Sequence, residues 1–238
     1  MVLTFKAWIE KIEHLTPKTK VFELKIPDDV NFAYETGQFA MLSIDDFLGP
    51  DGNPIKRPYS IASSALQNLH LEFCISWAHE GGFSDRIHNC KEGDFVNVEG
   101  PFGQFLLKPS TEDITFIAAG SGIAPLIAMI RTLFIQNTTH NVWLFFGFRY
   151  PEDFIYQKEL TELARNRKNF HLITSISTAD PVDWNGEKGR INLIFPKYIQ
   201  NANQRDFYIC GPVLMIEDST KVLLEIGADK SKIYTEGW

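Results

Sequence analysis

Near Pro109 the hydrophobic rhythm of the chain changes, and no single regular architecture satisfies both sides of the break. Before it, short segments rich in β-branched and aromatic residues alternate apolar with polar, as in Val21-Phe22-Glu23-Leu24-Lys25-Ile26 and Leu69-His70-Leu71-Glu72-Phe73-Cys74-Ile75. A period of two sends successive side chains to opposite faces, so these segments read as half-buried antiparallel strands. Turn signals at Phe47-Leu48-Gly49-Pro50-Asp51-Gly52-Asn53-Pro54 and Glu92-Gly93-Asp94 recur at the spacing of a small barrel or sandwich. One short helix is expected at Ser84 to Cys90.

Beyond Pro109 continuous apolar runs alternate with helical stretches. The runs are Ile114 to Ala118, Val142 to Phe146, Phe170 to Ser175, Asp206 to Cys210 and Lys232 to Tyr234; the helical stretches are Ala124 to Ile135, Gln157 to Arg165 and Val213 to Glu225. Strands apolar on both faces, separated by helices, imply a parallel sheet covered on both sides. With 238 residues, the chain has enough length for two domains of about 100 to 130 residues each. The break sets them at 1–109 and 110–238.

Composition narrows the function classes. The 23 basic and 30 acidic residues leave a net charge of −7, and no Lys/Arg cluster is present, which argues against nucleic acid or an anionic membrane as the main partner. The three cysteines, Cys74, Cys90 and Cys210, lack C-x-x-C spacing, so neither a disulfide framework nor a cysteine-ligated cluster or zinc ribbon is supported. His14, His70, His79, His88, His140 and His171 are scattered without the pairing of a helical metal site, and no metal is expected. The first residues, Met1 to Lys6, lack a basic segment followed by an apolar core, and no apolar run approaches the ~20 residues of a membrane span. The expectation is a cytoplasmic protein.

Several segments carry chemistry, each with a plainer alternative. Phe116-Ile117-Ala118-Ala119-Gly120-Ser121-Gly122-Ile123-Ala124-Pro125 is a strand that stops at glycines and restarts as a helix. Its N–H groups and helix dipole suit a pyrophosphate, although a tight strand-to-helix turn would look the same, and Pro125 departs from the G-x-G-x-x-G pattern. Arg57-Pro58-Tyr59-Ser60 supplies a guanidinium for phosphate, a ring to stack on a flat heterocycle and a hydroxyl to bond it; alternatively it is a strand with Tyr59 in the core. Glu80-Gly81-Gly82-Phe83-Ser84-Asp85 offers a second phosphate loop or merely a helix N-cap. Asp206-Phe207-Tyr208-Ile209-Cys210-Gly211-Pro212 puts Cys210 at the carboxyl edge of the sheet, where it is either a ligand-facing thiol or an inert buried one. The last residues, Ile233-Tyr234-Thr235-Glu236-Gly237-Trp238, end on an indole.

Taken in order, Arg57-Pro58-Tyr59-Ser60, Gly82-Phe83-Ser84, Gly100-Pro101-Phe102-Gly103, the Gly120 to Pro125 loop, Cys210-Gly211-Pro212 and the terminal aromatic resemble the ferredoxin–NADP reductase superfamily over essentially the whole chain. The resemblance implies an antiparallel flavin-binding β-barrel followed by an α/β doubly wound, parallel-sheet nucleotide-binding domain. It implies a flavoprotein reductase that takes a hydride from NADH or NADPH onto FAD, with FMN the lesser candidate, and passes electrons to a separate acceptor such as a ferredoxin. Arg57 would hold flavin phosphate, Tyr59 would stack on the isoalloxazine with Pro58 beside it, and Ser60 would lie near its reactive nitrogen. Gly82, Phe83 and Ser84 would meet the flavin pyrophosphate; Gly120, Gly122 and Pro125 the nicotinamide nucleotide; Cys210 and Gly211 the nicotinamide ring. Gly147, Arg149 and Asp153 fall on the nucleotide side in a looser match. Trp238 would cover the flavin opposite Tyr59 and yield to nicotinamide, and Glu236 would join Ser60 in proton supply.

The departures bear on nucleotide choice. NADP-specific members of the superfamily commonly carry an Arg after the serine at the end of the third nucleotide-domain strand, where this chain reads Ser175-Ile176-Ser177-Thr178-Ala179-Asp180. A 2′-phosphate loses a bidentate partner and Asp180 would repel it, which favours NADH, while Lys188 and Arg190 leave NADPH open. Two other functions compete: a free-flavin reductase that releases its flavin after reduction, and a non-catalytic flavin- and nucleotide-binding subunit of a larger redox complex.

Overall fold

The computed structural model describes residues 1–67, 70–178 and 183–237. The chain divides into two compact units, one of Met1–Leu107 with Ile127–Gln136 and the other of Lys108–Leu126 with Asn137 to the C-terminus.

The first unit is a nearly closed antiparallel barrel. Its strands are β1 (Leu3–Thr16), β2 (Thr19–Lys25), β3 (Phe39–Ser43), β4 (Arg57–Ser60), β5 (His70–Ser76) and β6 (Phe95–Phe102), in the order β4-β3-β6-β1-β2-β5. A short helix, α1 (Phe83–His88), stands where the sequence places one. The 14-residue β1 serves two neighbours: its first half pairs with β6, its second with β2, and a register shift between Ile9 and Lys11 lets it bend from one to the other. Burial alternates along it only as far as Ile9 and is irregular beyond, which is why it reads weakly as one continuous strand. The two ends of the sheet approach each other through the isolated bridge Ile61↔Phe73. Inward-facing Phe5, Ile9, Phe22, Leu24, Leu42, Phe73 and Val98 fill the interior.

The second unit is an all-parallel sheet of β7 (Asp113–Ala119), β8 (Val142–Phe148), β9 (Phe170–Ile176), β10 (Glu187–Lys188), β11 (Arg205–Gly211) and β12 (Ile233–Gly237), in the order β10-β9-β8-β7-β11-β12. Helices α2 (Ile123–Ile135), α3 (Gln157–Asn166), α4 (Ile191–Ile194) and α5 (Val213–Glu225) connect the strands. Phe145 on β8 lies in register between Ile117 and Ile173 and packs against Phe195 at 6.0 Å, so the central strands are apolar on both faces, as their continuous runs require. The chain works outward from β7 through β8 and β9 to β10, then returns to the other side of β7 as β11 and β12. That reversal is the doubly wound arrangement, and it puts a topological switch point between the carboxyl ends of β7 and β11.

Candidate functional site

The switch point gathers the nucleotide-side residues. β7 ends at Ala119 and the chain turns through a 3₁₀ turn, Gly120–Gly122, directly into α2. Gly120 adopts φ +54°, and the position its Cβ would occupy has no atom within 4 Å, so the turn is left-handed and open. An L side chain is disfavoured there, and a phosphate has room to approach the backbone N–H groups ahead of a 13-residue helix. Gly122 is buried, and Pro125 is the third residue of α2, within the first turn where its missing N–H costs nothing.

Across the switch point, Cys210 lies in register with Ala118 of β7 on one side and Glu236 of β12 on the other. The thiol is buried; burial, with the Glu236 charge adding to it, pushes its pKa well above the ordinary value, so it stays protonated at neutral pH. Gly211 sits close to β7: a Cβ there would lie 3.3 Å from Ala119 N and 2.4 Å from Met215 Cε, so the Met215 side chain would have to move and the strand contact would tighten. One parallel edge thus presents an open glycine turn at a helix start, a neutral thiol and a carboxyl side chain.

The looser nucleotide-side assignments divide. Gly147 makes room for α4, since its Cβ would stand 3.1 Å from Ile191 Cβ. Asp153 accepts from the backbone N–H of Tyr150 at 3.1 Å and so caps the turn after β8. Arg149 is exposed and its guanidinium lies 5.5 Å from the Tyr150 ring centroid. At the adjacent strand end, Ser177 Oγ donates to the Phe148 carbonyl and Thr178 Oγ1 to the Arg149 carbonyl, at 3.3 and 2.5 Å. A cavity of about 570 Å³ beside β9 and β10 is lined by Thr174, Asp183, Trp184, Glu187 and Tyr198 among others. Asp180 and Trp238 lie outside the described residues, as does Leu69.

In the barrel, Arg57-Pro58-Tyr59-Ser60 is the whole of β4, an edge strand paired only with β3, where a proline removes no ladder bond. Arg57 is exposed, and its Nη1 donates to the Lys56 carbonyl at 3.0 Å, leaving other N–H groups of the fork for an anion. Tyr59 and Ser60 are half-buried. The Tyr59 ring sits 6.0 Å from Phe83, which in turn packs on Phe47 at 5.9 Å, and burial pushes the Tyr59 hydroxyl up to about 12. Phe83 itself is buried in the barrel core, so only its backbone is placed to meet a phosphate.

The turn before α1 is held by its own side chains. Ala78 N–H donates to Ser84 Oγ at 3.1 Å, which leaves the Ser84 hydroxyl proton to donate onward. Asp85 accepts from Trp77 Nε1 and from Gly81 N–H, both at 3.0 Å; the Trp77 bond, then that of Gly81, holds its carboxyl below the usual range. Gly81 takes φ +71° with open space around it. A Cβ at Gly82 would lie 2.5 Å from the ring of the exposed His79, which would have to swing aside.

The chain is similar to known proteins over both of its parts. Residues 6–106 match the family of oxidoreductase FAD-binding domains and residues 116–221 that of oxidoreductase NAD-binding domains. A ferredoxin–NADP reductase B of Sorangium cellulosum is 29% identical over 98% of this chain and 96% of its own length. An NADH-cytochrome b5 reductase 2 of Lodderomyces elongisporus is 31% identical over 86% of this chain and 69% of its own. Among solved structures, a cytochrome P450 reductase from Amycolatopsis shares the fold with a TM-score of 0.87 at 23% identity, over 99% of this chain and 70% of that one.

Proposed function

Because the chain belongs to the ferredoxin–NADP reductase superfamily of flavin- and NAD(P)H-dependent oxidoreductases, we propose that it draws reducing equivalents from NADH and delivers them to a separate electron-carrier protein. FAD, when bound, supplies the change from two-electron to one-electron chemistry. The protein's own residues bind, orient and handle protons.

On the barrel, Arg57 grips phosphate, the half-buried Tyr59 ring offers a stacking face, and Ser60 presents a hydroxyl to the ring. Gly82, the Phe83 backbone and Ser84 receive the pyrophosphate. On the parallel sheet, Gly120, Gly122 and Pro125 hold the nucleotide phosphates, Cys210 and Gly211 shape a neutral floor for nicotinamide, and Glu236 keeps a carboxylate beside that floor for proton supply. Trp238 is assigned the covering role that the superfamily implies. The observation that carries the reading is the register of Cys210 between Ala118 and Glu236, at the switch point beside the open Gly120 turn.

NADH is preferred to NADPH on chemical grounds. The Ser177 and Thr178 hydroxyls spend their protons on the carbonyls of Phe148 and Arg149, and what remains are acceptors that suit a ribose hydroxyl and not a phosphate. For the acceptor, names of relatives such as ferredoxin–NADP reductase and NADH-cytochrome b5 reductase support a small redox protein. No helix among the described residues is long and apolar enough to cross a membrane, and the three cysteines are free, which suits a reducing cytosol.

Anaerobic titration of the purified protein with NADH and with NADPH, recorded in the visible, tests the reading. The expected result is a yellow protein bleached by both nucleotides and faster by NADH. A colourless protein, or a yellow one that neither nucleotide bleaches, would overturn it.

A further inference from the structure

The barrel closes beside Ser60 through an isolated bridge, Ile61↔Phe73. Ser60 is the last residue of β4 paired with β3, opposite Phe39. Beyond it the chain turns the corner onto β5: Ile61 N–H still reaches the Gln38 carbonyl at 2.9 Å, Ile61 bridges Phe73, and Ala62 N–H donates to the Glu72 carbonyl at 2.8 Å. A corner made by one isolated bridge has few ladder bonds to define it, and a sheet of this kind needs some other device to hold its geometry.

Arg131 supplies that device. It stands in the second half of α2, the part that groups with the barrel, as the single charged residue of the apolar stretch Leu126-Ile127-Ala128-Met129-Ile130-Arg131-Thr132-Leu133-Phe134-Ile135. Its Nη1 donates to the Ala62 carbonyl at 2.9 Å and to Glu72 Oε1 at 2.9 Å. Side-chain exposures of 21% for Arg131 and 15% for Glu72 mean that water competes little for either group. Glu72 also lies opposite Glu23 on β2, whose carboxylate meets Lys11 at 3.2 Å, while Glu72 itself is met by Arg131. One guanidinium therefore ties both sides of the corner, the carbonyl two residues beyond Ser60 and the side chain of the strand that receives it. Thr132, next in the helix, seats the same turn of α2 through Thr36 at 3.0 Å and Ser64 at 2.7 Å.

We propose that Arg131 is a positioning residue for the flavin reaction: by clamping Ala62 and Glu72 where the barrel closes, it fixes the Ser60 hydroxyl in its working place. The inference rests on the reading that Ser60 faces the flavin. A hydroxyl bonded to a reacting ring loses its value when displaced by even an ångström, so loss of the clamp acts on the rate of reduction and not on nucleotide affinity.

The test compares the holoprotein with the double variant Arg131→Met/Glu72→Met, which removes both charges and so strands neither in the interior, and with Arg131→Lys. Stopped-flow reduction by NADH is followed together with the flavin spectrum and flavin content. The double variant should retain flavin and bind NADH within about 2-fold of wild type, with a shifted flavin band and a limiting reduction rate lowered roughly 10-fold to 100-fold. Arg131→Lys, which keeps a cationic donor on a long stem, should recover to within about 3-fold. If the double variant fails to fold, Arg131→Gln/Glu72→Gln answers the same question with a neutral polar pair too short to span the corner. A folded, flavin-loaded variant of either pair with the wild-type limiting rate and spectrum overturns the inference. A wild-type protein that neither holds flavin nor is reduced by NADH or NADPH instead overturns the reading beneath it, and the clamp with it.

Discussion

In the parallel sheet strand direction brings the residues assigned to the nicotinamide side to one edge: Gly120 follows the last residue of β7, and Cys210 and Glu236 are the penultimate residues of β11 and β12, in register with each other. In the antiparallel barrel neighbouring strands run in opposite directions, no edge collects all their carboxyl ends, and the flavin-side residues come instead from an edge strand, β4, and from the turn before α1. The parallel unit therefore gathers its assigned residues by topology. The barrel encodes its site in local side-chain contacts, among them Asp85 on Gly81, Ser84 on Ala78, His79 over Gly82 and Arg131 on Ala62.

The contrast is broken most severely by Phe145→Ala. Phe145 is fully buried between Ile117 and Ile173, and the cavity left behind should cost about 3–5 kcal/mol of stability, read as a lowered midpoint in denaturant. Substitution of the half-buried Ile12 in the barrel should cost less, because less of its apolar surface is withdrawn from water.

Alkaline pH should strain both units through buried tyrosines. Burial pushes Tyr34 and Tyr59 in the barrel up to about 12, and it raises Tyr208 in the parallel sheet as well. A tyrosine whose folded pKa exceeds its unfolded value of about 10 lends stability that is complete below pH 10 and disappears as pH rises through the folded value. Thermal melts should therefore hold steady to about pH 10 and fall between there and 12. Tyr59→Phe should soften the barrel's share of that fall, and an unchanged alkaline limb would contradict the burial assigned to Tyr59.

Ser60→Ala sharpens the comparison chemically. It should slow flavin reduction by NADH roughly 10²-fold while leaving flavin content and melting temperature near wild type. Stopped-flow reduction at the wild-type rate would remove Ser60 from the reaction. The smallest effect is expected at Gly52, which has φ +77° but open space at its Cβ position. Gly52→Ala should cost only about 1 kcal/mol, the strain of the left-handed backbone alone. Gly37→Ala, whose Cβ would lie 2.0 Å from the Phe105 carbonyl oxygen, should cost several times as much by the same chemical denaturation assay.

Much of the architecture was legible because periodicity reports how many faces of a segment are buried. Val213 to Glu225 reads as a helix and is α5, and the runs at 114–118, 142–146 and 170–175 each lie within a parallel strand. Less legible were β1, whose change of partner at Ile9 interrupts its alternation, and the four-residue α4, too short to show a period. The glycines at 120 and 211 were singled out from their place between strand and helix, and both meet a steric or conformational demand in the structure. Gly147 and Asp153 were also singled out, but the contacts found at them are packing against Ile191 and the capping of a turn.

The order of residue types along the chain was enough to determine the two architectures, the glycine turns and the polar groups available for chemistry, because these depend on local sterics and on period. Tertiary structure alone decided which cation answers Glu72, which ring lies beside Gly82, and that Cys210 sits beside Glu236. Those pairings join residues that are near in space but, for Glu72 with Arg131 and Cys210 with Glu236, far apart in the chain, and no periodic signal carries the identity of a partner across such a distance.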